Sequence, residues 1–191
     1  MVWTLVSCYT PAYEKYLGDF TESLDTHGIK HLIIEGDELG SWNKNMMHKL
    51  VTIHFALSSL KTDIVWCDID AKVINYPELF DVLMCDFAAF KLTVTPYNIE
   101  WVNAQYNFTP EILYYTGTMF FKNNDKNKQF LDKWIEIHEK YKDCNRPTQA
   151  SLYWTLKEFP DLNVYDLPES YCWIKPYTVI EHYCASVVNN E

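Results

Sequence analysis

The first seventy residues alternate short apolar runs with longer amphipathic stretches, and this alternation limits the possible folds more than any other feature. Val2–Ser7, Ile29–Ile34 and Ile64–Cys67 are apolar runs of strand length. Between the first two, Thr10 and Pro11 read as N-cap and first position of a helix that runs to His27 and stops at Gly28. Between the second and third, Met47, Leu50, Val51, His54, Leu57 and Leu60 recur at helical spacing, with Asn43 or Asn45 as the expected cap. Strands that are apolar throughout are buried on both faces. The order strand, helix, strand, helix, strand therefore predicts an α/β fold: a Rossmann-like, mixed but mainly parallel sheet flanked by helices. Right-handed crossovers bring the carboxyl ends of such strands to one edge, where ligands of α/β proteins bind.

The second half continues the pattern less regularly. A short helix is expected at Pro77–Leu83, strands at Phe87–Leu92 and Met119–Phe121, and an amphipathic helix at Asn124–Lys142 with Phe130, Leu131, Trp134, Ile135, His138 and Tyr141 inward. A further helix runs from Pro147 to Phe159, and Val164–Tyr165 and Val179–Ile180 read as short late strands. Residues 93–111 fit no period; Tyr97, Trp101, Tyr106 and Phe108 are interleaved there with Asn98, Asn103, Gln105 and Asn107. No repeat or linker interrupts the chain, so residues 1–191 are expected to form one domain.

Composition narrows the chemistry. Only 5 of 191 residues are glycine, and none lies in the segment after the first strand, which argues against a Gly-rich phosphate loop. The net charge of -10 opposes nonspecific binding to a polyanion. Only Lys122–Arg146 is locally basic, and it reads as a solvated helix face. Six cysteines, at 8, 67, 85, 144, 172 and 184, form no C-x-x-C pair and read as buried thiols in a reducing, cytoplasmic setting. No signal peptide and no membrane-spanning run is expected, so the sequon at Asn107 reads as chance.

The chemistry concentrates at Asp68-Ile69-Asp70, directly after the third apolar run. In extended chain these two carboxylates point to one side. Two carboxylates at the ligand edge of a sheet repel each other unless a cation lies between them, and oxygen ligands favour Mg²⁺ or Mn²⁺. Such a metal commonly takes further ligands from a diphosphate and stabilises charge on a phosphate leaving group.

The segment Ile64-Val65-Trp66-Cys67-Asp68-Ile69-Asp70-Ala71-Lys72-Val73-Ile74-Asn75-Tyr76-Pro77 resembles the D-x-D segment of GT-A-type glycosyltransferases. Trp42-Asn43 and the helix carrying Lys49 resemble that family's approach to the strand, and Thr116-Gly117-Thr118-Met119-Phe120-Phe121-Lys122-Asn123 is similar to its small-Gly segment. The helix with Trp134, then Pro147-Thr148-Gln149-Ala150-Ser151-Leu152, resembles the stretch where many members carry Asp-Gln, and Val179-Ile180-Glu181-His182 resembles the late strand with a metal-binding His. The resemblance spans most of the chain in the family's order. It implies a metal-dependent transferase that moves a sugar from a nucleotide diphosphate, a UDP-sugar by expectation, to a hydroxyl acceptor.

Carried over position by position, the resemblance makes Asp70 the principal metal ligand, Asp68 a ribose and metal contact, and His182 the third ligand. Ser7, Tyr9, Thr10, Lys49, Thr116 and Gly117 become donor contacts, and Gln149 joins Asp68 and Asp70 in catalysis. Thr148 stands where the family commonly has Asp, so that role is vacant, and Asp86 and Glu181 are the acids weighed as a base. Residues 93–111 are the expected acceptor side, with aromatic faces for stacking. The acceptor class stays open among glycan, protein, small molecule and a hydroxymethylated DNA base, for which Lys122, Lys126 and Lys128 would touch phosphate. Heavy use of Lys, Asn, Ile and Tyr with a single Arg fits an AT-rich genome, as in a phage or virus. A non-catalytic nucleotide-sugar-binding module on the same scaffold is the alternative reading. A dehalogenase-like phosphatase is disfavoured, because its D-x-D follows the first strand.

Overall fold

The computed structural model describes residues 3–106, 108–172 and 178–183. Val2, Asn107 and Cys184 lie outside the described residues. Six strands form one sheet in the order β2 (His31–Glu35), β1 (Trp3–Tyr9), β3 (Asp63–Cys67), β6 (Ile112–Phe121), β5 (Phe87–Thr93), β7 (Val164–Leu167). β1 pairs in parallel with β2 and β3, and β5 with β7, while β6 runs antiparallel to both of its neighbours. The fold class expected from the alternation is therefore the one observed: a mixed sheet in which β6 alone is reversed. A separate ribbon joins β4 (Ala71–Val73), too short to show a period, to β8 (Ile180–His182), where the late strand at Val179–Ile180 is expected.

Consecutive strand residues divide between two cores, as a period of two requires. Leu5, Val65 and Phe120 face α1 (Leu17–Thr26) and pack with its Phe20 and Leu24. Val6, Ile64, Trp66, Met119 and Phe121 face the opposite layer. That layer holds α2 (Trp42–Ser59), α4 (Asp125–Tyr141) and α5 (Pro147–Glu158), which contribute Leu50, Ile53, Phe130, Trp134 and Leu152. The apolar runs are two-sided because the sheet is covered on both faces, which is why they do not alternate in sequence.

Several boundaries differ from expectation for local reasons. The chain after Thr10 first forms a 3₁₀ turn, Pro11–Tyr16, before α1, and Thr10 makes no capping bond. Gly28 does end this segment, at φ +63°. α2 is capped by Ser41, whose side chain accepts from the Lys44 amide at 3.4 Å. Asn45 instead accepts from Leu39 N at 2.8 Å, and Asn43 donates to Cys144 O at 3.2 Å. Ile137 takes the buried place on α4 that Ile135 was expected to hold. Residues 93–111 contain a short helix, α3 (Ile99–Gln105), over a third cluster of Val102, Tyr106, Leu113, Cys144 and Ala150. Among the described residues no helix is long and apolar enough to cross a membrane.

Candidate active site

β1 and β3 end side by side, and β6 meets β3 with Cys67 opposite Thr118. The Asp68 amide continues that ladder by donating to Gly117 O at 2.8 Å. Between Ala89 and Phe90 of β5, the pairing jumps from Met119 to Tyr115, so Thr116–Thr118 bulge out of the β5–β6 ladder. A bulge of this kind re-aims side chains at a strand end, and here it carries Thr116 and Gly117 to the edge where Asp68 lies.

Two adjoining cavities open at this edge. The first is bordered by Cys8, Tyr9, Thr10, Tyr13, Trp42, Asn45, Met46, His48, Lys49, Trp66, Asp68, Ile69 and Asp70. The second, of about 200 Å³, is bordered by Trp42, Met46, Lys49, Asp68, Trp101, Tyr115, Thr116, Gly117, Arg146, Thr148, Gln149, Cys172 and His182. Trp42, Met46, Lys49 and Asp68 belong to both walls. β3 ends at Cys67, so Asp68–Asp70 is a bend rather than extended chain. The i, i+2 argument therefore lacks its premise, yet both carboxylates reach the first cavity while Ile69 packs into the core beneath them.

Lys49 is buried on α2, and its ammonium lies 2.8 Å from Asp68 Oδ1. It also donates to Thr116 O at 3.0 Å and stands 5.5 Å from the centre of the Trp66 ring. Trp66 Nε1 donates to the same Asp68 oxygen at 2.8 Å. Asp68 is thus held from two sides through Oδ1. His182 is buried and shares a 2.8 Å hydrogen bond, through Nε2, with Thr118 Oγ1. Burial pushes its pKa down to about 4, against a raising influence from Asp68, so the ring is neutral at pH 7. Gly117 lies against it: a Cβ there would stand 2.9 Å from His182 Cε1 and 3.1 Å from Nδ1. Trp134 Nε1 donates to Ser151 Oγ at 2.8 Å and anchors the first turn of α5, where Gln149 accepts from the Tyr106 hydroxyl at 3.0 Å.

The residues fit a divalent cation in chemistry. Asp68 and Asp70 are oxygen donors on one wall, and His182 is in the neutral form that ligates, with Nδ1 left over by its Thr118 bond. Gly117 sets no side chain against that ring edge. Among the described residues, however, no three His, Cys, Asp or Glu side chains converge closely enough to hold an ion on their own. His182 borders the second cavity with Asp68, not the first with Asp70, so the expected triad is not assembled.

Of the expected donor contacts, Tyr9, Thr10 and Lys49 border the first cavity and Lys49, Thr116 and Gly117 the second. Ser7 borders neither; its hydroxyl is buried in β1 without a hydrogen-bond partner among the described residues, and its neighbour Cys8 takes the cavity side. Burial pushes the Cys8 thiol up to about 12. Asp86 lies at the other end of the sheet, bound to Asn124, Lys126 and the Asn163 amide, and borders neither cavity. Glu181 stands opposite Lys72 in the β4–β8 ribbon, between two buried residues, and also borders neither. Lys126 and Lys128 are paired with Asp86, Asp161 and Asp125, away from the site. Trp42, part of the Trp42-Asn43 resemblance, borders both cavities, while Tyr13 and Arg146 border them with no signal in the sequence: Arg146 lies in the locally basic run that reads as a solvated helix face.

No protein-family model and no curated protein matches the sequence. Solved structures do share the fold. A glycosyltransferase involved in the glycosylation of the major capsid of PBCV-1 superposes with a TM-score of 0.65 at 16% identity, covering 100% of both chains. The glycosyltransferase GlyE of Streptococcus pneumoniae gives 0.61 at 15% identity over 94% of this chain and 54% of its own. The bifunctional glycosyltransferase WbbM gives 0.54 at 12% identity over 89% of this chain and 39% of its own. The chain thus spans about half of GlyE and less of WbbM. Its fold is the one these solved glycosyltransferases share, in line with the fold class that the sequence resemblance implied.

Proposed function

We propose that this protein transfers a sugar from a nucleotide diphosphate, a UDP-sugar, to a hydroxyl acceptor. The observation that carries the reading is the position of Asp68 at the junction of two cavities, on a fold shared with solved glycosyltransferases. The nucleoside would occupy the first cavity, where Tyr9, Tyr13 and Trp42 offer aromatic surface. The sugar would lie in the second, against Thr116, Gly117 and Gln149, with Trp101 on the acceptor side.

Asp68 and Asp70 would hold Mn²⁺ or Mg²⁺ together with diphosphate oxygens, with His182 as a third donor if donor binding draws it in. That cation supplies charge neutralisation for the departing diphosphate. Lys49 keeps Asp68 in one rotamer and places a second positive charge beside it. Gln149, its oxygen engaged by Tyr106, turns its amide donors to the cavity's occupant. Among the described residues Cys8, Cys67, Cys85 and Cys144 are thiols outside any disulfide, the form that a reducing, cytoplasmic setting keeps. The acceptor class stays open, and the paired lysines leave a DNA acceptor without its expected phosphate contacts at Lys126 and Lys128.

A thermal-shift series of nucleotide diphosphosugars with and without Mn²⁺ tests this. A donor at a hundredfold excess over Kd adds ~2.7 kcal/mol of stability, and Asp70→Ala should remove the metal-dependent part. No shift with any nucleotide sugar and any divalent metal would overturn the reading. One observation favours a binding module instead: among the described residues, Asp68 is the only acid bordering the sugar cavity. Hydrolysis of the UDP-sugar without acceptor decides between the two, since a module binds and does not turn over.

A further inference from the structure

We infer that the sugar seated in the second cavity carries a carboxylate, and that Arg146 selects it. The inference rests on the sugar-transfer reading above and names the substrate class for it.

Arg146 is the one arginine among 191 residues, in a chain with 26 acids and a net charge of -10. It is half-buried at the start of α5 and borders the cavity beside Trp101 and Gln149. Among the described residues its guanidinium joins no ion pair and no side-chain hydrogen bond. The lysines on and just after α4, Lys133, Lys140 and Lys142, are each paired with a glutamate. Acidic partners are thus plentiful, and none among the described residues pairs with the arginine at the cavity.

The cavity does not balance that charge from within. Among the described residues its only acid is Asp68, whose Oδ1 already receives Lys49 and Trp66 at 2.8 Å each. Gln149 has its oxygen taken by Tyr106 at 3.0 Å, so the amide nitrogen is what it has to offer. Guanidinium and carboxamide nitrogen are both donors. A wall of donors with an unbalanced positive charge matches an acceptor-only anion, and a planar carboxylate suits the guanidinium fork in particular. A neutral hexose presents hydroxyls and leaves the charge uncompensated. The carboxylate belongs either to a uronic acid in the donor or to a uronic acid in the acceptor, and the chemistry at Arg146 is the same for both.

The test compares UDP-glucuronate with UDP-glucose in Mn²⁺-containing titrations of the full chain. In parallel, transfer to methyl glucuronide is compared with transfer to methyl glucoside. Arg146→Met and Arg146→Lys are run beside the parent protein, each first checked for an unchanged melting temperature without ligand. The carboxylate compound should be preferred at least ~10-fold in one arm, the loss expected when a charged hydrogen-bonded pair is removed. Preference in the titration assigns the carboxylate to the donor, and preference only in transfer assigns it to the acceptor. Arg146→Met should erase the preference and Arg146→Lys keep only part of it, because lysine retains the charge without the fork. If Arg146→Met does not fold, the partial loss in Arg146→Lys carries the test. Equal behaviour of carboxylate and neutral compounds in both arms overturns the inference. So does a variant that weakens UDP, UDP-glucose and UDP-glucuronate alike, which would put the guanidinium on the diphosphate. Absence of binding by every nucleotide sugar is a different result: it overturns the sugar-transfer reading, and this inference falls with it.

Discussion

Lys49 Nζ and Asp68 Oδ1 stand 2.8 Å apart, joining the middle of α2 to the bend that follows β3. The lysine side chain is 6% exposed and the aspartate 30%, so the pair is sheltered on one side only. Breaking a fully buried pair costs roughly 3–5 kcal/mol because a charge is left without its partner. With Asp68 partly solvated, Lys49→Met should cost about 2 kcal/mol in urea unfolding. Asp68→Asn should cost a similar amount, since Lys49 keeps only the Thr116 oxygen and the Trp66 ring. The double variant should cost less than the sum by about 1 kcal/mol or more. Additive losses would show that the pair is not coupled.

Gly117 and His182 are in close contact, and the reason is steric rather than conformational. Gly117 lies within β6, and the constraint on it is the imidazole 2.9 Å from where a Cβ would stand. His182 cannot retreat freely, because Nε2 is tied to Thr118 and the ring is buried. Gly117→Ala should therefore destabilise by about 1–3 kcal/mol, the range for overpacking. Adding His182→Ala to it should relieve the clash, so the double variant melts above the additive expectation. A Gly117→Ala protein with parental melting temperature would show that the ring has room to move.

Much of this arrangement is readable in the sequence, and the exceptions have causes. β1, β2, β3, α2, α4 and α5 follow from apolar runs and helical spacing, because each has a face that must be buried. β4 has three residues, too few to show a period, although its partner β8 lies where the late strand at Val179–Ile180 is expected. Thr116-Gly117-Thr118 looks like a break between strands, yet it is the bulge inside one strand, and only the register against β5 reveals it. Asp68 and Asp70 reach one cavity through a bend, not through the extended chain that the pattern assumes. Ser7 and Cys8 exchange roles because one residue of strand register decides which side faces the ligand edge. Arg146 sits in a run of basic residues, and nothing local separates it from the lysines that pair along α4.

Tyr106 donates to Gln149 from a fully buried ring, and burial pushes its hydroxyl pKa well above the usual value. Removing that hydroxyl leaves the Gln149 oxygen to find another donor at the cavity wall. Tyr106→Phe should cost about 1 kcal/mol of stability, the net worth of one hydrogen bond. Its larger effect should be on the sugar: with Gln149 free to rotate, kcat for transfer or hydrolysis should fall more than affinity for UDP alone. Equal loss in both would mean that Gln149 does not act on the sugar.

His138 and His182 give the protein a pH-dependent stability whose sign follows from their burial. Burial lowers the pKa of both, for His182 from 6.5 to about 4. His138 faces Ser151 Oγ through Nδ1 at 3.3 Å, and its Nε2 is buried without a partner among the described residues, so its surroundings do not welcome a second proton. The unfolded chain binds protons at these positions as pH falls through 6.5, while the folded chain does not until about 4 for His182. Stability is therefore fully present above the unfolded pKa and is lost as pH falls through that window. Each histidine contributes a slope of up to ~1.4 kcal/mol per pH unit. Urea midpoints measured at pH 7.5, 6.5, 5.5 and about 5 should fall progressively, before most carboxylates titrate. His182→Gln should flatten part of the slope while keeping a partner for Thr118. A midpoint that stays level from pH 7.5 to about 5 would mean that both rings accept protons in the folded protein.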